Sequence, residues 1–366
     1  MSSLRALVIY RVNRGVVGNQ GIIQKMRGQV NGLAEQGFDV DFIIHDNRHV
    51  YLTGQPIFSI QRQSWLARLK WEYFDHLHDL LDYDFYLIRY GLSTPSMLRW
   101  LKALRKVNSS AKVILDMPTY PYQREWSGLK GMLALFIDGQ LRSALQRYVD
   151  LVLHSGQEKS IYGIDTYHMT NGVTPSDLKF PTPPVEGGQV QLLAIGKWQY
   201  WHGLDRIIKS FAAIRPLAHL HIVGDGPYSK TLRRMISTLG LSNYVSWHGP
   251  MVGEALQKLT ARCHIGIGTL GLHRKGVQVD SSLKHRYYCA HGLPMILSSP
   301  DPDFGTDLAW VHYVPIDDGE IDLAFLPSFA EDHVSSERRG EIQAYARERL
   351  SWAHKFKQLL DSLEAS

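Results

Sequence analysis

The strongest constraint on the fold of this chain is residues 191–226, which read QLLAIGKWQYWHGLDRIIKSFAAIRPLAHLHIVGDG. Two apolar runs, at 192–195 and 220–223, each end in glycine, and apolar residues between them recur at helical spacing. This order of strand, loop, helix and strand predicts a βαβ unit, whose ligand sites lie beyond the carboxyl ends of its strands. Lys197 lies at such an end, just before a helix N-terminus, where backbone amides and the helix dipole favour a phosphate group.

The same alternation of strand and helix recurs along the whole chain. A first βαβ unit is predicted from apolar runs at 6–10 and 39–44, with a glycine-bearing loop after its first strand. The stretch 174–189 is rich in proline and glycine and lacks periodicity, which is typical of a domain boundary. We therefore predict an α/β fold of two doubly wound, Rossmann-like domains that face a central cleft. The predicted domains are 1–174 and 191–350, joined by a linker at 175–190.

Composition indicates a cytoplasmic globular protein. The 366 residues suffice for two domains, and no apolar run approaches the ~20 residues of a membrane-spanning helix. The N-terminus lacks the features of a signal peptide, and two cysteines in the whole chain make a disulfide framework improbable. Residues 1–180 hold 21 Lys and Arg against 16 Asp and Glu, whereas 181–366 hold 19 of each. A basic first half suits a phosphorylated substrate or acidic lipid headgroups, or is simply a solvated surface; no nucleic-acid-binding signature is present.

Residues 62–81 are predicted to form a helix with a broad apolar face. The polar positions of this segment carry Arg62, Arg68 and Lys70. That pattern fits the packing of a core helix, and it also fits a helix lying on the inner membrane surface. We therefore expect a protein that is cytoplasmic and open to peripheral membrane contact.

The loop at 116–125, DMPTYPYQRE, follows a predicted strand at 112–117. Two prolines prevent it from continuing as a strand, so it is predicted to be an ordered loop at a strand's carboxyl end. Its polar and aromatic side chains favour a binding site over simple turn chemistry. The candidate residues are Asp116, Tyr120, Tyr122, Arg124 and Glu125.

The second half carries cations near predicted strand ends or helix starts. Cations beside helix N-termini are what a diphosphate requires. The 17 histidines show no paired ligand spacing, so no metal site is predicted. The motifs of a serine-hydrolase elbow and of a P-loop are both absent. The candidate cations are Lys197, His202, Arg274, Lys275 and Lys284.

Four segments in this order and spacing resemble a GT-B glycosyltransferase of family 4, in the branch that serves bacterial surface polysaccharides. They are IGKWQYWHGLDRII at 195–208, IVGDGP at 222–227, IGIGTLGLHRKG at 265–276 and SLKHRYYCAHGLPMI at 282–296. VILDMPTYPYQRE at 113–125 looks like that branch's first-domain loop, and NGV at 171–173 like its turn before the linker. The resemblance implies that a C-terminal helix, 351–366, returns towards the first domain.

The resemblance also implies transfer of a sugar from a nucleotide-sugar, with retention of anomeric configuration and without a metal or cofactor. Lys197 matches the family's diphosphate-binding arginine, and Lys284 and Arg274 are the further predicted catalytic cations. The acceptor, a glycan or lipid-linked glycan, would meet Asp116, Tyr120, Tyr122 and Glu125. The other predicted donor-binding residues are Gly18, Gly21, His202, Gly224, Asp225, Gly226, Gly249, Met251, Leu283 and Tyr287.

Two positions depart from the family pattern. His202 stands where many members have lysine, and Tyr287 stands where the family has a glutamate that holds the donor ribose. A tyrosine hydroxyl cannot chelate two ribose hydroxyls as a carboxylate does. A GT-B-type nucleotide-sugar epimerase and a non-catalytic nucleotide-sugar-binding protein therefore remain open as alternatives.

Overall fold

The computed structural model describes residues 3–46, 48–59, 72–123, 128–175, 188–215, 217–277 and 279–365. Contacts divide the chain into two compact units. The first comprises Met1–Thr170 together with Trp352–Ser366, and the second comprises Asn171–Ser351. The predicted boundary after residue 174 lies four residues beyond this division, and most of the predicted linker lies outside the described residues.

The first unit is built on a nine-stranded, mostly parallel sheet in the order β4-β3-β2-β1-β5-β6-β7-β9-β8. Its central strands are continuous apolar runs buried on both faces, as expected for parallel strands covered by helices. Strand β1 lies between β2 and β5, so the strand order runs in one direction on one side of β1 and in the other direction on its other side. The carboxyl end of β1 is therefore a topological switch point. The strands are β1 Arg5–Asn13, β2 Asp39–His45, β3 His49–Leu52, β4 Gln55–Ser59, β5 Phe85–Arg89, β6 Lys112–Asp116, β7 Leu151–His154, β8 Ser160–Ile161 and β9 Ile164–His168.

The second unit is built on a six-stranded parallel sheet in the order β12-β11-β10-β13-β14-β15. Strand β10 pairs with β11 on one side and β13 on the other, which places the switch point just after Ile195. The predicted βαβ stretch thus occupies the centre of this sheet. The strands are β10 Val190–Ile195, β11 Ala218–Val223, β12 Val245–Gly249, β13 Ile265–Ile267, β14 Met295–Leu297 and β15 Val311–Tyr313.

Helices cover both sheets, and one of those with a side-chain cap is α2, Pro95–Val107. The side chain of Thr94 caps α2 by accepting a hydrogen bond from the Met97 amide (3.2 Å), and Pro95 occupies the first helical position. The helices are α1 Gln20–Ala34, α2 Pro95–Val107, α3 Gly128–Leu141, α4 Leu204–Ile214, α5 Ser229–Thr238, α6 Gly253–Arg262, α7 Leu283–Ala290, α8 Leu326–His333, α9 Ser336–Tyr345 and α10 Trp352–Glu364.

The last part of the chain forms two helices and not one continuous helix. Helix α9 passes into a π-helical turn, Ala346–Leu350, and Ser351 is extended and bridges to Val173. Helix α10 then packs on α1, where a Cβ on Gly32 would lie 2.7 Å from the Cβ of Trp352. The chain thus leaves the second unit at Ser351, and α10 completes the first unit's core with Trp352, Phe356 and Leu359.

The helix predicted over 62–81 is only partly testable, because residues 60–71 lie outside the described part of the chain. The described remainder is a 3₁₀ turn, Glu72–His76, followed by irregular chain, so the prediction of helix up to residue 81 is wrong. Phe74 and Leu77 are fully buried, and the carbonyl of Leu77 accepts hydrogen bonds from the Trp100 indole (2.9 Å) and the Leu80 amide (3.0 Å). These bonds replace the helical bond to residue 81.

The close crossing of α1 and α10 gives a prediction about stability. We expect Gly32→Ala to lower the free energy of unfolding of the first unit by ~1–3 kcal/mol, because the new Cβ meets the backbone of Trp352. Chemical denaturation followed by tryptophan fluorescence measures this change. Gly139→Ala, in α3 of the same unit, is the matched control, since its Cβ meets nothing within 4 Å. Equal effects of the two changes would contradict the proposed crossing.

Candidate functional site

Two glycine loops meet at the carboxyl edge of the second sheet. Gly196–Trp198 follows β10, and Gly224–Gly226 follows β11. Gly224 has φ +103°, and a Cβ there would collide with the carbonyl oxygen of Gly196; a Cβ on Gly226 would lie 2.5 Å from the Trp198 nitrogen. The Gly224 amide also donates to the carbonyl of Gly249 (2.7 Å). The predicted donor-binding glycines therefore first serve to fix the loop that carries Lys197.

Lys197 lies at the tip of this anchored loop and is exposed. Within the described residues its ammonium has no ion-pair partner. The next residue, Trp198, turns inward and is 1% exposed, and its indole Nε1 lacks a hydrogen-bond partner among those same residues. A cation presented on a rigid loop at a strand end is suited to an anionic ligand.

Lys284 lies at the second position of α7 and is 8% exposed. Its Nζ has no hydrogen-bond partner in the described part of the chain and lies 5.9 Å from the ring centre of Trp198. Burial lowers the pKa of Lys284 to about 8, against a smaller opposing effect of Asp280. The Ser282 side chain makes no capping bond to α7. The backbone amides at the start of this helix, beside Leu283 and Lys284, are therefore not capped by that side chain.

Two further buried polar atoms lack a hydrogen-bond partner in the described residues. They are Oγ of Ser299 and Oδ2 of Asp280, which lies 3.6 Å from Nε2 of His285. A hydrogen bond from the Asp280 amide to the carbonyl of Pro300 (2.9 Å) joins the two segments. Buried polar atoms are paired in most native structures, so these atoms and the Lys284 ammonium favour a site for a polar ligand.

The next two residues of α7, His285 and Arg286, are fully buried, and both side chains bond to other groups of the protein. The imidazole of His285 contacts Asp301 through Nδ1 (2.9 Å) and accepts a hydrogen bond at Nε2 from the Thr269 amide (3.2 Å). The guanidinium of Arg286 binds Asp301 and Asp303 and donates to the carbonyl of Asn171 (3.0 Å). These contacts hold α7 in place and leave Lys284 as its buried cation without a partner in the described residues.

His202 does not supply a second cation. Its Nδ1 accepts a hydrogen bond from the Gln199 amide (3.3 Å), and burial, followed by the nearby Lys284, lowers its pKa to about 2. The imidazole is therefore neutral at every physiological pH. The positive charge that the family pattern leads one to expect at this position is absent here.

Arg274 is engaged by protein groups. Its guanidinium forms a fork on Asp205 (2.7 and 3.0 Å), contacts Asp318 (2.6 Å) and donates to the carbonyl of Tyr200 (2.8 Å). Burial alone would lower its pKa, but the bonds to Asp205 and Asp318 outweigh it and raise the pKa of Arg274. This geometry disfavours the predicted catalytic contact with a diphosphate and gives Arg274 a structural role, joining three loops of the second unit.

The predicted ribose position is occupied by a neutral phenol. The hydroxyl of Tyr287 bonds to Thr260 (3.0 Å), and its ring stacks on His291 at 3.9 Å between centres. Burial raises the pKa of Tyr287 to about 12. Tyr287 and Met251 pack against the same apolar cluster. The structure therefore explains how tyrosine is accommodated, and its contact with a donor stays a prediction.

In the first unit, Gly18 and Gly21 lie exposed at the start of α1, beyond the end of β1, and their approach to a donor also stays a prediction.

Asp116 at the end of β6 is not free for an acceptor. Its carboxylate contacts Nζ of Lys25 (2.9 Å) and accepts a bond from the Tyr10 hydroxyl (3.1 Å). Burial alone would raise the pKa of Asp116, but Lys25 and Arg89 reverse this effect and hold it below its ordinary value. Its predicted role changes from acceptor contact to internal anchor.

A tyrosine cluster, Tyr90, Tyr120, Tyr122 and Tyr162, lies beside this network. The Tyr122 hydroxyl bonds to Asp138 on α3 (2.5 Å) and receives a bond from Tyr162 (2.5 Å). Tyr122 is therefore engaged within the protein, whereas the ring of Tyr120 is half-buried beside Tyr122, Tyr162 and His154. The peptide bond between Tyr120 and Pro121 is cis. Glu125 lies outside the described residues, as does Arg124.

The described residues contain no group of three or more His, Cys, Asp or Glu side chains arranged to hold a metal ion. Over the same residues, none of the helices has the length and apolar character needed to cross a bilayer. Cys263 and Cys289 are both buried, free thiols.

Residues 177–269 match the family model of glycosyl transferases group 1. Solved structures match the whole chain. HepE of Anabaena, in complex with UDP and glucose, aligns with TM-score 0.61 and 15% identity over 99% of this chain and 100% of its own. Sucrose-phosphate synthase of Thermosynechococcus elongatus aligns with TM-score 0.62 and 14% identity over 99% of each chain. The chain has the GT-B glycosyltransferase fold. No curated protein matches it in sequence.

Several residues of the candidate site in this GT-B fold are not predicted from the sequence. Trp198, Asp280 and Ser299 were missed because an indole, a loop acid and a serine carry no motif of their own. Asp138 could have been predicted, since it is the one acidic residue of α3, GLKGMLALFIDGQL, whose only other polar residues are Lys130 and Gln140. A lone acid in an apolar helix usually has a buried partner.

The unpaired ammonium of Lys284 predicts a gain in stability on its removal. Because its folded-state pKa, about 8, lies below the ordinary 10.5, the folded protein holds this proton less tightly than the unfolded chain. The cost is therefore fully present below pH ~8 and disappears as the pH rises towards ~10.5. We expect Lys284→Met to stabilise the second unit at neutral pH by ~3 kcal/mol, a gain that vanishes near that upper pH. Denaturation at several pH values measures it.

The matched control is Lys230→Met, an exposed lysine on α5. A loss of stability in Lys284→Met at neutral pH, with Lys230→Met unchanged, would mean that the Lys284 ammonium has a stabilising partner.

The Arg274 fork predicts a loss of stability. Arg274→Met removes two hydrogen bonds from the buried carboxylate of Asp205 and leaves Lys209, at 3.9 Å, as its ion-pair partner in the described residues, so we expect the second unit to lose ~3 kcal/mol in denaturation experiments. Lys258→Met, which breaks the exposed pair with Glu254, is the control and should cost less than ~1 kcal/mol. A stable Arg274→Met protein that has lost only ligand binding would instead restore the catalytic assignment.

Proposed function

We propose that this protein is a glycosyltransferase that moves a sugar from a nucleotide-sugar donor to a glycan or lipid-linked glycan in polysaccharide or glycoconjugate synthesis. We infer further that it is a hexosyltransferase of family 4 and retains anomeric configuration. The observation that carries the proposal is the buried Lys284 ammonium, which lacks a hydrogen-bond partner in the described part of the chain and lies at the uncapped start of α7. The GT-B fold, the group 1 match and the UDP-sugar complexes of HepE support the same class of substrate.

The donor diphosphate suits the carboxyl edge of the second sheet. Lys197 is exposed there on the glycine-anchored loop, and Lys284 lies at a helix start whose dipole adds positive potential. Charge grows on the diphosphate as it leaves the sugar, so fixed cations and amides at this place stabilise the transition state more than the ground state. The proposed catalysis is therefore leaving-group stabilisation by Lys197 and Lys284.

The acceptor suits the tyrosine cluster of the first unit. Tyrosine rings offer flat apolar faces together with hydroxyl groups, which match the faces and hydroxyls of a sugar. Because Tyr122 and Asp116 are already engaged, we assign the direct acceptor contact to Tyr120, with Tyr122 and Asp138 positioning it.

A second function, nucleotide-sugar binding without transfer, is favoured by one observation. At the position of the family's ribose-binding glutamate, the Tyr287 hydroxyl already bonds to Thr260 and is neutral. A binding protein of this kind would hold a nucleotide-sugar and leave it intact. A GT-B-type epimerase, the other alternative, would convert the donor when no acceptor is present.

The first test is a thermal-shift screen of the protein against UDP-, GDP-, ADP-, CMP- and dTDP-sugars. We expect one nucleotide class to raise the melting temperature, because it binds the folded state alone. Lys197→Ala should abolish the shift, and the exposed Lys230→Ala should retain it. An absence of any shift would contradict the donor site. Product analysis with the bound donor, with and without glycan acceptors, then separates transfer, epimerisation and simple binding.

A further inference from the structure

Three histidines of the second sheet lie together outside the candidate site. His219 and His221 are two residues apart on β11, so they share one face of the strand, and His248 is on the neighbouring strand β12. The ring centres of His219 and His221 are 4.9 Å apart, and those of His221 and His248 are 5.2 Å apart. Leu220 and Ile222, which alternate with the first two histidines, belong to an apolar core. The histidines therefore form a row on the opposite face of the sheet.

His248 joins this row from a β-bulge. The register of β11 and β12 shifts so that Val223 pairs with Gly249, and His248 is the extra residue of β12. A bulge re-aims side chains relative to a regular strand. Here Nε2 of His248 lies 3.0 Å from Nδ1 of His221. The two residues are 27 positions apart in the chain, so local spacing in the sequence does not predict the pair.

Gln191 on β10 fixes which nitrogen of His221 carries the proton. The side-chain nitrogen of Gln191 donates to the carbonyl of Gln189 (3.3 Å), and its amide oxygen lies 2.9 Å from Nε2 of His221. An amide oxygen only accepts, so His221 donates through Nε2, and Nδ1 of the neutral ring keeps its lone pair towards His248. Metal-binding histidines are held in the same way, by a bond from the second ring nitrogen that fixes the tautomer.

The distance between the two facing nitrogens suits one divalent ion. Zinc binds histidine nitrogen at about 2.0–2.1 Å with tetrahedral geometry, which places two such nitrogens roughly 3.3 Å apart. A small rotation of the exposed His248 ring converts the observed 3.0 Å into that distance. We propose that His221 and His248 form a two-histidine site for a divalent transition metal ion such as zinc, for which imidazole is a suitable ligand.

The ion takes the place of the hydrogen bond between the two rings. On binding, the His248 ring gives up its Nε2 proton to water and takes one at Nδ1, so both ligating nitrogens offer lone pairs and no net proton is released. Nε2 of His219 bonds to Ser246 (2.8 Å) and is not one of the ligands. Two side chains are fewer than the three or four that hold a resident zinc ion, so water completes the coordination and the ion exchanges. The bound ion joins the edge strand β12 to β11.

The test is isothermal titration calorimetry of the full chain with Zn²⁺ at neutral pH, in the absence of any nucleotide. We expect His248→Gln to weaken zinc binding at least about tenfold, because one of the two protein ligands is lost. His78→Gln, which changes an exposed histidine of the first unit, is the matched control and should bind zinc as the unchanged protein does. Cu²⁺ in place of Zn²⁺ identifies the ligands, since electron paramagnetic resonance should show two coordinated imidazoles in the unchanged protein and fewer in His248→Gln.

The His248 side chain is exposed, so the melting temperature of His248→Gln without metal should equal that of the unchanged protein. A loss of zinc binding in this variant then reports the site and not unfolding. Failure of the unchanged protein to bind zinc, undiminished binding in His248→Gln, or a loss in His78→Gln alone would overturn the proposal. Because the inference does not rest on the proposed function and no nucleotide is present, these outcomes are independent of the thermal-shift screen.

Discussion

The candidate site depends on a buried ammonium that has no hydrogen-bond partner among the described residues. Lys284 is exposed to water by only 8%, yet its neighbours His285 and Arg286 take the carboxylates of Asp301 and Asp303. Removing a cation from water costs free energy unless a counter-charge replaces the solvent. Burial lowers the pKa of Lys284 for this reason. A bound diphosphate would offset the cost of burying this ammonium. The same buried cation would therefore both destabilise the protein without a ligand and favour the binding of an anion.

The rest of the second unit holds this arrangement rigid. Glycines at 224 and 226 allow two loops to touch where side chains would collide. The Arg274 guanidinium bonds to the carbonyl of Tyr200 and to Asp205 on α4, which ties these segments together. Arg286 extends the same support to Asn171, the first residue of the unit. The engaged cations thus position the site, and Lys197 and Lys284 remain available to a ligand.

The sequence predicts the buried strands well and the polar contacts poorly. The apolar runs predicted as strands at 192–195 and 220–223 lie within β10, Val190–Ile195, and β11, Ala218–Val223, because central parallel strands are largely buried. The β3–β4 hairpin was missed, since it is short, polar and at the sheet edge. Lys197 and Lys284 were selected by their place at strand and helix ends. Arg274 and Asp116 were selected by the same rule, which does not reveal that Asp205 and Lys25 already bind them. Those partners lie 69 and 91 residues away in sequence, beyond the reach of local patterns.

The two departures from the family pattern act in opposite directions on the net charge of the site. His202 is neutral because burial and Lys284 both oppose its protonation, and Tyr287 is neutral because burial opposes its ionisation. One departure removes a positive charge and the other removes a negative charge, so the net charge offered to a donor changes little. What changes is its distribution, since the positive charge is concentrated on Lys197 and Lys284, at the proposed diphosphate position, and no carboxylate remains at position 287 to orient a ribose. Such a site would derive its affinity from the phosphates and discriminate less strongly by the sugar of the nucleoside.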